Sequence, residues 1–83
     1  MKRVVYSRDA AKTLMKMPAN LRRTVRAKIE QYAANPAALA NQVRRLQGEP
    51  GYRLRVGDWR VIFDQDRTSV IVLAIGSRGS IYK

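Results

Sequence analysis

Three arginines at alternating positions around a predicted hairpin turn are the residues of this chain best suited to chemistry on phosphate. The segment reads Tyr52-Arg53-Leu54-Arg55-Val56-Gly57-Asp58-Trp59-Arg60-Val61-Ile62-Phe63. Gly57-Asp58 is a two-residue turn signal, because glycine readily takes the positive φ that such turns need. Arginine can fork onto phosphate through two parallel N–H bonds, so these side chains predict an anionic ligand.

Strand pairing outward from the turn sorts the side chains of the hairpin onto two faces. The cross-strand pairs are Val56 with Trp59, Arg55 with Arg60, Leu54 with Val61, and Tyr52 with Phe63. One face is apolar and is predicted to face the helices, with Trp59 read as core rather than as a base-stacking residue, whereas the other face is cationic. Because like charges across a ladder are destabilising, Arg55 opposite Arg60 indicates a missing anionic partner.

The length and charge of the chain limit its organisation and its partners. Its 83 residues predict one domain, residues 1–83, and 17 Lys and Arg against 6 Asp and Glu give a net charge of +11. Nucleic acid is the leading partner class, although a basic composition can also serve only solubility or a membrane surface. No apolar run approaches the roughly 18 residues of a membrane span, and the amino terminus lacks the apolar core of a signal peptide, so we expect a cytoplasmic protein without a membrane partner.

The residue types that are absent narrow the chemistry further. The chain has neither Cys nor His, which excludes thiolate nucleophiles, the usual zinc sites and imidazole acid-base catalysis. Its six acidic residues show no paired spacing typical of a metal site. We therefore expect no metal and no cofactor, and any catalysis must use Arg, Lys, Tyr or carboxylates.

The first half of the chain predicts a strand and two helices. A short strand over residues 3–6 leads to Ser7, which can cap a helix that extends to Met17. A second apolar stripe at helical spacing runs from Leu21 until Pro36 stops it.

The second half of the chain predicts a sheet. Residues 37–43 are expected to form a connector, and strand-like alternation begins at Val43. The stretch from Ser69 to Ile75 is nearly all apolar, which predicts a central strand covered on both faces. The expected order is β-α-α-β-β-β-β, and the fold class is α+β with two N-terminal helices packed on a mostly antiparallel sheet of four to five strands.

Two further groups of basic residues are candidate RNA contacts. They are Arg22, Arg23, Arg26 and Lys28 on the outer face of the second helix, and Arg44 and Arg45 where the sheet pattern begins. Such charges neutralise phosphates along a nucleic-acid backbone. The alternative is a solvated face, since a helix needs no reason beyond solubility to carry them.

Several motifs together resemble those of the RelE/ParE toxin superfamily. They are Leu46-Gln47-Gly48, the hairpin from Tyr52 to Phe63, Ile75-Gly76-Ser77-Arg78 and Ile81-Tyr82, with Ala10-Ala11-Lys12-Thr13-Leu14 and Met17-Pro18 in the amino-terminal half. The resemblance spans essentially the whole chain, and the hairpin is its most specific part. It implies the toxin of a type II toxin-antitoxin system, expected to be a monomer alone and a hetero-oligomer with its cognate antitoxin.

Two activities occur within the superfamily. The resemblance implies the RelE-like one, a ribosome-dependent endoribonuclease that cuts mRNA in the A site by metal-independent attack of the 2′-hydroxyl, with the ribosome and mRNA as partners. The alternatives are a ParE-like DNA gyrase poison without nuclease activity and a non-toxic module that only engages an antitoxin. Fold cannot decide between them, because one fold serves several functions.

Site residues carry over from the RelE-like nucleases position by position. Their active centre combines basic residues on the sheet, a late arginine and a tyrosine near the carboxyl end. The matching positions here are Arg53, Arg55, Arg60, Arg78 and Tyr82. The best-known pattern has Lys where this chain has Arg53 and Arg55, and often His or Lys where it has Ser77.

These departures shape the roles that we predict for the side chains. Arginine stays protonated, so Arg53 and Arg55 are expected to stabilise charge rather than to accept a proton. Tyr82 is the one family-matched side chain with a deprotonatable oxygen, and we predict that it is the general base. Arg60 is expected against the scissile phosphate and Arg78 near the leaving oxygen. The alternatives are a frayed terminal residue for Tyr82 and a plain loop charge for Arg78.

Overall fold

The computed structural model describes residues 1–77, which form two helices against a five-stranded sheet. The elements are β1 (Arg3–Tyr6), α1 (Arg8–Lys16), α2 (Ala19–Ala34), a 3-10 helix (Pro36–Gln42), β2 (Val43–Arg45), β3 (Tyr52–Val56), β4 (Trp59–Gln65) and β5 (Ser69–Ser77). The predicted α+β class and the order of its elements are confirmed.

The strands are arranged in the order β1-β5-β4-β3-β2. Strand β1 runs parallel to β5, while the three other neighbouring pairs are antiparallel. The prediction of a mostly antiparallel sheet is therefore confirmed. Consecutive strands from β2 to β5 are neighbours, so the second half of the chain is a meander that brings the hairpin between β2 and β5.

Both helices pack on one face of the sheet and form a single core with it. Val25 and Ile29 of α2 are buried in the same cluster as Leu54, Val61 and Phe63 of the hairpin. The opposite face, called the open face below, carries the alternate side chains of the same strands. The apolar side of the hairpin therefore faces the helices, as predicted.

Two local predictions are wrong. Strand β5 is not covered on both faces: Leu73 is 43% exposed, because α1 and α2 both pack on the side of Val70 and Val72. The expected connector over residues 37–43 is instead largely the 3-10 helix Pro36–Gln42, whose Leu39 is only 4% exposed. One buried leucine is a weaker sequence signal than the repeating stripe of an α-helix.

Ser7 joins the first helix to the centre of the sheet. Its Oγ accepts a hydrogen bond from the backbone N–H of Ala10 at 3.1 Å, which caps α1, and its hydroxyl donates to the carbonyl of Leu73 at 2.8 Å. Leu73 lies where the β4–β5 register shifts between Ile62 and Phe63. None of the helices in the described residues is long and apolar enough to cross a membrane.

The turn between β4 and β5 is held by the carboxylate of Asp66. Its Oδ1 accepts hydrogen bonds from the backbone N–H groups of Thr68 at 2.9 Å and Ser69 at 2.8 Å. These bonds hold the pKa of Asp66 below its ordinary value of 3.8. Because the pKa of Asp66 is lower in the folded than in the unfolded protein, its carboxylate stabilises the folded state at a pH above the unfolded pKa. This stabilisation is lost as the pH falls through the folded pKa.

We expect Asp66→Asn to weaken the acid sensitivity of folding, because the amide does not titrate. Thermal unfolding of both proteins, followed between about pH 2 and 6 around the Asp pKa of ~3.9, measures the effect. The midpoint of the parent should fall more steeply than that of the variant below about pH 4. Parallel profiles would contradict this assignment.

Candidate functional site

The β3–β4 hairpin has the pairing that its sequence predicts. Arg55 lies opposite Arg60 and Val56 opposite Trp59, with Gly57 at a φ of 60° in the turn. Because side chains alternate along a strand, the burial of Leu54 and Val56 places Arg53 and Arg55 on the open face. One face of the hairpin thus packs in the core, and its other face carries the arginines.

Strand β2 adds a fourth arginine to this surface. Arg44 pairs with Arg53 across β2 and β3, just as Arg55 pairs with Arg60 across β3 and β4. Two like-charged pairs therefore lie side by side on the open face, an arrangement that costs stability without an anion. Arg44 was predicted only as an outlying RNA contact, and the strand register places it beside the catalytic candidates.

Three of these arginines converge on a small pocket, called the arginine pocket below. It has a volume of about 90 Å³ and is lined by Asn41, Gln42, Arg44, Arg53 and Arg55. That volume exceeds the ~10–15 Å³ that a cavity needs to hold one water, so the pocket has room for a small oxyanion. No carboxylate is among its lining residues.

Arg55 and Arg60 lie opposite each other but have different surroundings. Arg60 is half-buried, and its Nη1 donates hydrogen bonds to the carbonyls of Gly57 and Trp59, each at 3.0 Å. This bracing of the turn leaves the Nε and Nη2 edge of Arg60 for a ligand. Arg55 is exposed, and within residues 1–77 no hydrogen bond or ion pair engages its guanidinium.

The basic residues of α2 belong to a different surface. The helix packs on the covered face of the sheet, so Arg23 and Arg26 are exposed on the side away from the arginine pocket. Arg22 contacts the end of α1, where its Nη1 donates to the Leu14 carbonyl at 3.5 Å. Burial raises the pKa of the Tyr6 hydroxyl, and the charge of Arg26 partly offsets that rise. The structure therefore does not bring the α2 cations, Lys28 included, together with the hairpin arginines.

A larger cleft adjoins the arginine pocket at the β2 edge of the sheet and is called the edge cleft below. Its volume is about 470 Å³, and its lining residues are Arg44, Arg45, Leu46, Gln47, Glu49 and Arg53. Arg44 and Arg53 line both spaces, so the two are neighbours. Sequence reasoning did not place Glu49, Asn41 or Gln42 in the candidate site, because only folding brings these segments to the β2 edge.

The remaining site predictions concern the carboxyl end and metals. Arg78 and Tyr82 lie outside the described residues, and their roles stay predictions. Among residues 1–77, no group of three or more acidic side chains is placed to hold a metal ion. The chemistry that the described residues themselves offer is charge stabilisation by guanidinium groups.

The sequence of this chain matches one known protein family over nearly its whole length. The family described as the ParE toxin of type II toxin-antitoxin systems, parDE, matches residues 4–82. A search of curated proteins found no significant match.

Solved structures share the fold over nearly the whole chain. A chain of the archaeal RelE-RelB complex from Pyrococcus horikoshii OT3 is 25% identical, with 95% of this chain and 97% of that chain covered at a TM-score of 0.75. A chain of the intact RelBE toxin-antitoxin complex of E. coli is 23% identical, with coverages of 93% and 96% and a TM-score of 0.72. YafQ from E. coli strain BL21(DE3) is 16% identical, with both chains fully covered at 100% and a TM-score of 0.63. At such identities the two E. coli structures indicate the fold alone.

Proposed function

Since this chain belongs to the ParE toxin family of type II toxin-antitoxin systems, we propose that its target is messenger RNA, which it cuts in the ribosomal A site as an endoribonuclease. The observation that carries the proposal is the arginine pocket, where Arg44, Arg53 and Arg55 converge around a space of phosphate size. A phosphodiester backbone is an anion that matches both the charge and the volume.

The proposed reaction needs no metal. The 2′-oxygen attacks the adjacent phosphorus, the bond from phosphorus to the 5′-oxygen breaks, and the products are a cyclic phosphate and a 5′-hydroxyl. Negative charge on the non-bridging oxygens rises in the transition state, and preorganised guanidinium groups lower its energy. Arg53 and Arg55 are the proposed stabilisers, with the free edge of Arg60 as a third donor.

The residues proposed for proton transfer lie outside residues 1–77. An arginine cannot accept the proton of the 2′-hydroxyl, because its guanidinium stays protonated. Tyr82 is the proposed general base, which takes the proton of the 2′-hydroxyl. Arg78 is the proposed stabiliser of the leaving 5′-oxygen or its indirect proton donor, through a water that protonates this oxygen. Both roles come by resemblance to RelE-like nucleases. In this proposal the arginines of the sheet bind the phosphate, and residues at the carboxyl end of the chain transfer the protons.

A DNA gyrase poison is the second candidate. The match to the ParE family over residues 4–82 favours it, because ParE-like members act on gyrase without a nuclease centre. On this reading the arginines hold DNA or an acidic protein surface and no bond is broken. A non-toxic module that only engages its antitoxin is the third reading.

The proposed partners follow from the same surface. Solved relatives are complexes of RelE with RelB, and we propose that this chain likewise forms a hetero-oligomer with a cognate antitoxin in the cytoplasm. The net charge of +11 fits an acidic, partly disordered segment that covers the arginines and keeps the ribosome away.

Programmed ribosomes provide the direct test of function. Incubation with the protein should yield message cut within the A-site codon, ending in a cyclic phosphate, while free message of the same sequence stays intact. Cleavage should fall steeply with added salt, since phosphate contacts release counterions. The parallel assay measures trapped gyrase-DNA cleavage complexes. Uncut message together with trapped gyrase-DNA complexes would reject the endoribonuclease and support the gyrase poison. If induced expression of the protein does not slow cell growth, both activities are excluded.

A further inference from the structure

The arginine pocket is lined by two uncharged amides besides its three arginines. Asn41 and Gln42 end the 3-10 helix, and both line the pocket. Asn41 is exposed, whereas Gln42 is half-buried. Gln42 precedes Val43, whose strand partner is Leu54, so it lies beside Arg55. The strand register thus places Gln42 next to a proposed stabiliser of the phosphate.

These amides are the only side chains that can accept a hydrogen bond among the lining residues that the structure describes. A guanidinium group only donates, whereas a carboxamide donates through its NH2 group and accepts through its oxygen. Glu49 lines the edge cleft but not the arginine pocket. No hydrogen bond engages the side chain of Gln42 within residues 1–77. The pocket therefore combines three cations with an acceptor oxygen that has no partner in this part of the chain.

A ribose hydroxyl is the donor that fits such an acceptor. The non-bridging oxygens of a phosphodiester only accept hydrogen bonds, and arginines are suited to bind them. In the sugar-phosphate backbone of RNA the 2′-hydroxyl is the one group that donates a hydrogen bond, and the backbone of DNA has no donor. Arginines alone would bind either backbone, so the acceptor is the feature of the pocket that can distinguish the two.

We propose that Gln42 binds the 2′-hydroxyl beside the phosphate in the arginine pocket and makes the pocket selective for RNA over DNA. The hydroxyl donates to Oε1 of Gln42 while the arginines bind the phosphate oxygens. A bound phosphate has a ribose on each side, and the hydroxyl on its 3′ side keeps its proton in the proposed reaction, so this contact does not compete with the general base. The inference rests on the proposed RNA substrate but not on cleavage.

Binding of strands that differ only at the 2′ position tests the proposal without a ribosome. Four fluorescent oligouridylates carry 2′-hydroxyl, 2′-O-methyl, 2′-fluoro or 2′-hydrogen groups throughout, so their charge and bases are the same. Kd is measured by fluorescence anisotropy at one salt concentration, and gel electrophoresis checks that the ribose strand stays intact. We expect the ribose strand to bind about threefold to tenfold tighter than the other strands, the range of one neutral hydrogen bond, because only its sugar donates.

Two substitutions of Gln42 assign the preference to its oxygen. Gln42→Met, which has a similar length but only a weak acceptor, should bring all strands to within about twofold of each other. Gln42→Glu should weaken every strand about fivefold or more, because it adds a negative charge beside the phosphate. It should nevertheless retain the ribose preference, since a carboxylate oxygen accepts. A side chain that only held the fold, or only donated to the phosphate, would not retain it.

Gln31→Ala and Asn41→Ala are the matched controls. Gln31 is exposed on α2, which packs on the covered face of the sheet, so its removal should change each Kd by less than about twofold. Asn41→Ala should keep the ribose preference, because the proposal assigns the contact to the half-buried amide. Circular dichroism of each variant checks folding.

The results separate this proposal from the proposed activity. Equal affinity for ribose and deoxyribose strands, no measurable binding, a ribose preference that survives Gln42→Met, or one that is lost in Gln42→Glu or in Asn41→Ala would each overturn the role of Gln42. Cleavage on ribosomes by a protein that binds all the strands equally would leave the nuclease intact and remove this contact alone. A ribose preference that depends on Gln42, found without cleavage, would retain the contact and remove the nuclease.

Discussion

Arg55→Ala should lower the rate of message cleavage on programmed ribosomes by about a hundredfold or more, the size of effect seen when one preorganised donor is removed from a transition state. Its guanidinium lines the arginine pocket and has no hydrogen-bond partner within residues 1–77. Because it lies opposite Arg60, its removal relieves repulsion across the ladder, so the thermal midpoint should not fall.

Arg67→Ala is the matched control for that experiment. Arg67 is exposed in the β4–β5 turn, at the opposite end of β4 from the hairpin turn, and its removal subtracts the same charge. Its cleavage rate should stay within about twofold of the parent, as for a surface change away from the site. Equal losses in both variants would mean that net charge matters and the arginine pocket does not.

Arg60 is a less informative position for the same question. Its Nη1 bonds to the carbonyls of Gly57 and Trp59, so Arg60→Ala would disturb the turn and the ligand surface at once. A loss of cleavage there would have two causes. Arg55 separates them, because its side chain lines the arginine pocket and forms no hydrogen bond that holds the strand within residues 1–77.

Phe63→Ala should cost about 3–5 kcal/mol of unfolding free energy, the usual range for truncating a buried aromatic ring. Phe63 is 1% exposed, and its ring centre lies 5.2 Å from that of Tyr32 and 5.4 Å from that of Tyr52. Small domains have only about 5–15 kcal/mol in total, so the variant should lose a large share of its stability and unfold at a clearly lower urea concentration. Urea unfolding followed by circular dichroism measures the loss.

Ile62→Ala is the control for the core prediction. Ile62 precedes Phe63 on β4, faces the open side and is half-buried, so its truncation should cost about 1 kcal/mol, near the average for point substitutions. Similar losses for both variants would contradict the one-sided core. The contrast matters for function, because the strand that carries Arg60 into the site is held by Phe63 through its other face.

The hairpin is the part of the candidate site whose strand pairing sequence reasoning predicted in full. Gly57 and Asp58 mark the turn, and alternation on both sides favours the register that buries Leu54, Val56, Val61 and Phe63. The pairing of Arg55 with Arg60 follows from these local facts alone. The capped first helix and the stripe of the second were predictable for the same reason, since each signal lies within one segment.

Features that depend on contacts between distant segments were not predictable. Arg44 meets Arg53 only because β2 adds to the sheet in one register, and a three-residue strand has too few side chains to specify that register beforehand. The exposure of Leu73 depends on where both helices pack, and the bracing of the turn by Arg60 depends on a rotamer.

The sequence thus determined which residue types are available and how the hairpin sorts them, because turn chemistry and alternation act over a few residues. Tertiary structure decided that Arg44 joins Arg53 and Arg55 around one pocket, that the α2 cations lie on another surface, and that Glu49 and Arg45 share a cleft beside the pocket. Those outcomes arise from packing between segments far apart in the chain, where no local pattern specifies the partner.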